Sequence, residues 1–137
     1  MNALLVAALT GASLISGAVI ASADSAGAPV DWAHAQRVDL QMIEYEFAPD
    51  QLRFHRHVPY QLHLVNAGKE GHDFKAPDFF KSVELKNADV LGAGKSSLYL
   101  SPGQTADIYF IADQAGLFAP RCADHDWAGM KATIIVD

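Results

Sequence analysis

From Arg37 to the carboxyl terminus, apolar and polar residues alternate in short runs, the signature of half-buried strands rather than helices. The run "RVDLQMIEYEF" places Val38, Leu40 and Met42 on one face, then changes register to Ile43, Tyr45 and Phe47 before the Pro49-Asp50 turn. That change predicts a bulge or a bend. "QLRFHRHV" turns Leu52 and Phe54 inward and Arg53 and His55 outward, and "YQLHLVN" does the same with Tyr60, Leu62 and Leu64 against Gln61 and His63. Joined around Pro59, these two runs are expected as neighbouring strands. In "SSLYLSPGQTADIYFIA", Pro102-Gly103 marks a turn, after which Ala106, Ile108 and Phe110 face one side and Thr105, Asp107 and Tyr109 the other. "GLFAPRC" extends with Phe118, Pro120 and Cys122 on one face, and "MKATIIVD" closes the chain as a strand. Residues 75–95 lack this period: "APDFFKSVEL" suits a short helical turn after Pro77, with Phe79 and Phe80 capping the core, and "NADVLGAGK" reads as loop. Many short strands with closely spaced turn signals predict an all-β fold, an antiparallel sandwich or barrel.

The first 23 residues break the pattern, because every Asp, Glu, Lys and Arg lies from Asp24 onward. An apolar run ending in Ala21-Ser22-Ala23 has the form of an export signal with a small-residue cleavage site. Leu4 to Ile20 is nearly long enough to span a bilayer, so an uncleaved amino-terminal anchor is the alternative. Thr10, Gly11, Ser13, Ser16 and Gly17 lower its apolarity and favour cleavage. Residues 24–37 then read as a linker or amino-terminal arm, and residues 38–137 as one small domain with a single core. The net charge of −6 falls wholly after residue 23, which disfavours nucleic acid and anionic lipid and would steer the protein toward positively charged partners. With a single cysteine no internal disulfide can form, so the thiol is inert core, an intermolecular link or a ligand.

The neighbours of that cysteine favour the last. In "RCADHDWAGM", His125 follows Cys122 by three positions and Met130 follows His125 by five, so a thiolate, an imidazole and a thioether share one short inter-strand loop. Soft donors of these types favour copper, and two imidazoles, one thiolate and a weak axial Met make the blue-copper arrangement. His72 in "NAGKEGHDF" is the candidate for the second imidazole, since the loop from Asn66 to Gly71 can bring it to the same end of the sandwich. Iron–sulfur clusters need more cysteines, no c-type haem attachment motif is present, and the thioether argues for copper over zinc.

These residues resemble the cupredoxins of the plastocyanin and pseudoazurin type. The Cys-x-x-His-x-x-x-x-Met spacing at Cys122, His125 and Met130, the Gly129-Met130 ending, "YEFAP", "NAGKEGHDF" and "SPGQTADIYF" carry the resemblance, which covers residue 38 to the end apart from residues 75–95. It implies a Greek-key β-sandwich and one type 1 copper bound by His72, Cys122 and His125, the imidazoles through Nδ1, with Met130 as weak axial ligand. It further implies a periplasmic shuttle of single electrons rather than an enzyme. Such a shuttle would be a monomer without membrane insertion after signal cleavage, serving redox partners such as a cytochrome or a copper oxidoreductase. His125 would be the exit point of the electron, Cys122 its strongest coupling, and Met130 a tuning residue. A copper carrier or resistance protein using the same site is the rival reading.

Several positions depart from that pattern. Asp73 stands where Asn is usual; it would accept backbone N–H bonds between the ligand loops, lower the potential by its charge, or act as a plain cap. Asp124 replaces a common Pro and Asp126 follows His125, giving an acidic ligand loop. Trp127 is expected either to pack on the loop and hold its shape or to shield copper and stack on a partner. His34, His55, His57 and His63 read as solvated rather than as a second metal site, and Glu44, Glu46 and Asp50 as a solvated edge that discourages strand pairing.

Overall fold

The computed structural model describes residues 28–137; the segment read as an export signal or anchor, and the start of the arm that follows it, lie outside the described residues. Among the described residues no helix is long and apolar enough to cross a membrane. The arm makes a single 3-10 turn at Trp32–His34, with Asp31 Oδ1 accepting from the Ala33 N–H at 3.1 Å. The Trp32 ring meets Tyr109 edge-on at 6.3 Å, and Lys86 Nζ lies over both rings.

Ten strands follow: β1 (Gln36–Ile43), β2 (Glu46–Ala48), β3 (Gln51–Phe54), β4 (Pro59–Asn66), β5 (His72–Lys75), β6 (Val83–Leu85), β7 (Ser97–Leu100), β8 (Thr105–Ala112), β9 (Gly116–Phe118) and β10 (Thr133–Val136). They form a five-stranded sheet in the order β2-β1-β4-β8-β6, a three-stranded sheet β3-β10-β9 and the pair β5-β7. A short helix α1 (Pro77–Ser82) starts at Pro77, whose missing N–H and fixed φ suit a helix start.

The all-β sandwich is as expected, but it is not wholly antiparallel. β1 runs parallel to β4, from Gln36 beside Tyr60 to Met42 beside Asn66, and β10 runs parallel to β3. The expected neighbours β3 and β4 lie in different sheets. Between them the chain crosses over at Arg56 and His57, where φ of His57 is 62°, the Arg56 N–H bonds to Asp137 O and the His57 N–H to Ala112 O. Alternation reports which face of a strand is buried and carries no information about which edge it pairs with. The register change after Met42 is likewise a full reversal rather than a bulge or bend: Ile43 pairs with Glu46 and Met42 with Phe47, so β1 and β2 form a tight hairpin. Strand β1 begins at Gln36, so Gln36 and Arg37, read as the end of the arm, already pair with Tyr60 and Gln61.

Residues 75–95 give the expected helical turn, followed by β6, which pairs with β8, and two 3-10 turns at Ala88–Val90 and Ala93–Lys95. Helix α1 drives Phe79 and Phe80 into the core as expected. Phe79 lies 5.1 Å from Phe110, 5.4 Å from Phe118 and 5.6 Å from Phe80, in edge-to-face or tilted contacts that stabilise beyond their buried area. Phe54, Tyr60 and Phe110 extend the cluster across the three-stranded and five-stranded sheets. Phe79→Ala is expected to lower stability by about 3–5 kcal/mol through lost burial and the cavity it leaves, read as a lower midpoint of urea denaturation with unchanged slope.

Candidate metal centre

The loop after β4 is shaped by Asn66, which is wholly buried. Its Nδ2 donates to Glu70 O at 2.7 Å and Leu100 O at 2.9 Å, and its Oδ1 accepts from the Gly68 N–H. This fold of residues 66–71 delivers His72 to the first position of β5, where it pairs with Leu100 and has no exposed surface. On the other side, Lys75 and Arg121 exchange both backbone hydrogen bonds, at 2.9 and 3.0 Å, which lays Cys122 against β5. The Cys122 N–H then bonds to Met130 O at 3.0 Å, closing residues 122–130 into a tight loop and setting the buried Met130 opposite Cys122. Inside the loop, His125 begins a 3-10 turn that ends at Gly129. There φ is 77°, a conformation that glycine adopts without steric cost and that turns the chain back to Met130.

The result brings three of the four expected donors together. The two Nδ1 atoms of His72 and His125 are 3.1 Å apart, and Cys122 Sγ lies 3.3 Å from Nδ1 of His125 and 4.0 Å from that of His72. Both rings face one another through Nδ1, the atom implied by the resemblance. Their outer nitrogens are occupied: His72 Nε2 lies 3.2 Å from Glu44 Oε1 and His125 Nε2 2.9 Å from Glu70 Oε2. A carboxylate that accepts at Nε2 favours the tautomer in which Nε2 carries the proton, and that tautomer leaves Nδ1 a lone pair to offer a metal. Two lone pairs and a sulfur crowded in a buried space repel unless a cation sits among them. This donor set of two imidazoles and a thiol, with a buried thioether opposite, fits copper. Among the described residues the remaining histidines do not join such a group: His34, His55, His57 and His63 each face one aspartate, Asp31, Asp137, Asp113 and Asp107 respectively.

Burial pushes the Cys122 thiol up, and the Asp73 N–H bonded to Sγ at 3.4 Å only partly opposes this. Glu44 goes the other way. The Glu70 N–H, against the effect of burial and aided by the Lys69 N–H and His72, holds its carboxyl at about 2. Sequence reasoning placed Glu44 on a solvated edge, and it missed Glu70 altogether. Glu44 instead reaches from the β1–β2 turn to the ligand side of the molecule, and no local pattern announces that. Glu70 stands two positions before His72 in a glycine-flanked loop, the one cue available.

Asp73 ties the ligand segments together, its Oδ1 accepting from the Ala123 N–H at 2.7 Å. The acidic loop is partly neutralised, since Asp126 meets Arg121 at 3.0 Å and Lys131 at 3.4 Å. Trp127 both braces the loop, through Nε1–H to Asp124 O at 3.1 Å, and stands 77 % exposed. Its ring is 5.4 Å from Tyr45, which in turn is 4.9 Å from His125. Asp73→Ala is expected to cost the metal-free protein about 1.5 kcal/mol in urea denaturation, the worth of one hydrogen bond to a charged group, whereas Asp73→Asn keeps most of it because its amide oxygen still accepts.

No family model matches this chain, and no curated protein matches it. Solved structures do. Auracyanin B is 21% identical over 75% of this chain and 89% of its own, with a TM-score of 0.56. The dithionite-reduced auracyanin of the photosynthetic bacterium Roseiflexus castenholzii is 15% identical over 75% and 98%, with a TM-score of 0.57. The metal binding domain of a Cu(I) exporting P-type ATPase of Streptococcus pneumoniae, with Cu(I), is 11% identical over 74% and 84%, with a TM-score of 0.48. At TM-scores of 0.56 and 0.57, the two auracyanins share their architecture with this chain, which has the cupredoxin fold.

Proposed function

We propose that this protein is a blue-copper electron carrier whose single copper ion is held by His72, Cys122 and His125, with Met130 as the weak axial donor. The observation that carries the reading is the buried convergence of Nδ1, Nδ1 and Sγ, with both outer ring nitrogens engaged by carboxylates so that the inner ones are free to bind a cation. Bound copper supplies one-electron chemistry by alternating between Cu(I) and Cu(II). The chain's own part is to keep the donors still and dry. Cys122 and His72 have no exposed surface, and the Asp73–Ala123, Cys122–Met130 and Trp127–Asp124 hydrogen bonds brace the loop that carries the rest.

In this reading residues 1–23 direct export to the periplasm, residues 24–37 are an arm, and residues 38–137 form the copper-binding domain. The protein is a monomer, not an enzyme, and its partners are redox proteins such as a cytochrome or a copper oxidoreductase. The carrier reading fits less well. Handing over a metal proceeds by ligand exchange, which requires an incoming donor to reach the ion, and the three donors here are buried.

Cu(II) added to the purified protein is expected to give an intense visible charge-transfer band that Cys122→Ser abolishes; a colourless Cu(II) complex would overturn the reading. Protons compete with metal for the thiolate and the imidazoles, so loading should release protons and copper affinity should fall as pH is lowered. Rapid electron exchange with a cytochrome in stopped-flow mixing supports the shuttle, whereas slow exchange with ready transfer of Cu(I) to an acceptor would favour the carrier.

A further inference from the structure

We propose that Glu44 and Glu70 are positioning residues of this centre, each fixing one ligand imidazole through its Nε2–H and together favouring the oxidised, more positively charged state. The inference rests on the copper reading above. Its ground is that both ligand rings, fifty-three positions apart in sequence, end on a carboxylate: His72 on Glu44 at 3.2 Å and His125 on Glu70 at 2.9 Å.

Long acidic side chains on a surface ordinarily stay mobile, because holding one rotamer costs entropy. These two are held at every oxygen that reaches a ring or its neighbour. Glu44 Oε1 also accepts from the backbone N–H of Lys69 at 2.6 Å and of Glu70 at 2.7 Å, and Glu70 Oε1 accepts from Tyr45 Oη at 3.2 Å. The chain leaves room for the arrangement. A Cβ added at Gly68 would stand 2.2 Å from Glu44 Oε1, so the loop closes around that carboxylate only because residue 68 has no side chain. Glu44 thus orders the backbone that presents Glu70, and the two carboxylates act as one unit spanning both imidazoles.

A carboxylate on the outer nitrogen of a metal-bound histidine sets its tautomer and ring angle and makes the inner nitrogen a stronger donor. Its negative charge also interacts more favourably with a dication than with a monocation. Both effects hold Cu(II) more tightly relative to Cu(I) and so lower the reduction potential. The side chains of Glu44 and Glu70 are 22 % and 50 % exposed, so Glu44, the less screened of the two, should contribute more.

The test compares Glu44→Gln, Glu70→Gln and the exposed control Glu84→Gln in the copper-loaded full chain, with the reduction potential followed through the visible band. Loss of either charge is expected to weaken Cu(II) binding about tenfold relative to Cu(I), an upward shift of about 59 mV for a one-electron couple, with the band retained and the control unmoved. A second readout needs neither copper nor a variant: two-bond 1H–15N spectra of the metal-free wild type should show His72 and His125 in the Nε2–H tautomer. An Nδ1–H tautomer there, or a blue wild type whose potential shifts no more in E44Q and E70Q than in E84Q, overturns the inference while leaving the copper reading standing. A wild type without the band removes the copper reading and the inference with it.

Discussion

Everything at the pole of this molecule depends on one short backbone pairing, the reciprocal hydrogen bonds between Lys75 and Arg121. His72 and Cys122 are fifty positions apart, the first opening β5 and the second lying between β9 and β10, strands of another sheet. The pairing sets them side by side and fixes their register, because a slip of one residue would turn Cys122 to solvent and Arg121 to the interior. Asp73 and Ala123 then extend the contact by one side-chain bond, and Met130 returns the chain through its carbonyl to Cys122. The donors are therefore positioned by strand pairing and by the hydrogen bonds that close residues 122–130.

Polar donors gathered in a buried place are costly to stability unless they are satisfied, and Nδ1 of His72, Nδ1 of His125 and Cys122 Sγ are gathered here within 4.0 Å. Aromatic packing among Phe79, Phe54 and Phe110 holds the sheets together independently of these donors. In the copper reading proposed above, an ion that binds the folded state alone raises stability with its concentration by mass action, so folding and metal binding would be thermodynamically linked.

The sequence carries buried faces more legibly than strand pairings. Leu40, Met42, Phe47, Leu52, Phe54, Leu62, Leu64, Ile108 and Phe110 are all buried as alternation predicts, since burial is written residue by residue into the pattern. Pairing belongs to two segments at once. Nothing in "QLRF" says that it will run parallel to "TIIV" rather than beside "YQLHLV", and nothing in "MIEYEF" separates a hairpin from a bulge. The same division holds at the site. Cys122, His125 and Met130 were legible because their spacing is local, and His72 because a loop of suitable length precedes it. The place of Glu44 is not legible, because it is set by a loop twenty-five positions away, and a charged residue near a strand end looks alike whether it meets water or an imidazole.

Rigidity and charge at this pole are not separate properties. The bonds that immobilise the loop are largely those that dispose of its acidic groups: Asp73 spends an oxygen on the Ala123 N–H, Asp126 is taken up by Arg121 and Lys131, and Glu44 is consumed by two backbone N–H groups. Each carboxylate that braces the site is thereby fixed in place, with only Asp126 balanced by cations, while Asp124 stays exposed beside the exposed Trp127. Under the electron-carrier reading proposed above, such a centre would gain twice: donors that cannot follow the ion would keep the reorganisation barrier small, and an exposed aromatic face beside Asp124 would receive a basic partner without burying a dense cluster of anions against it.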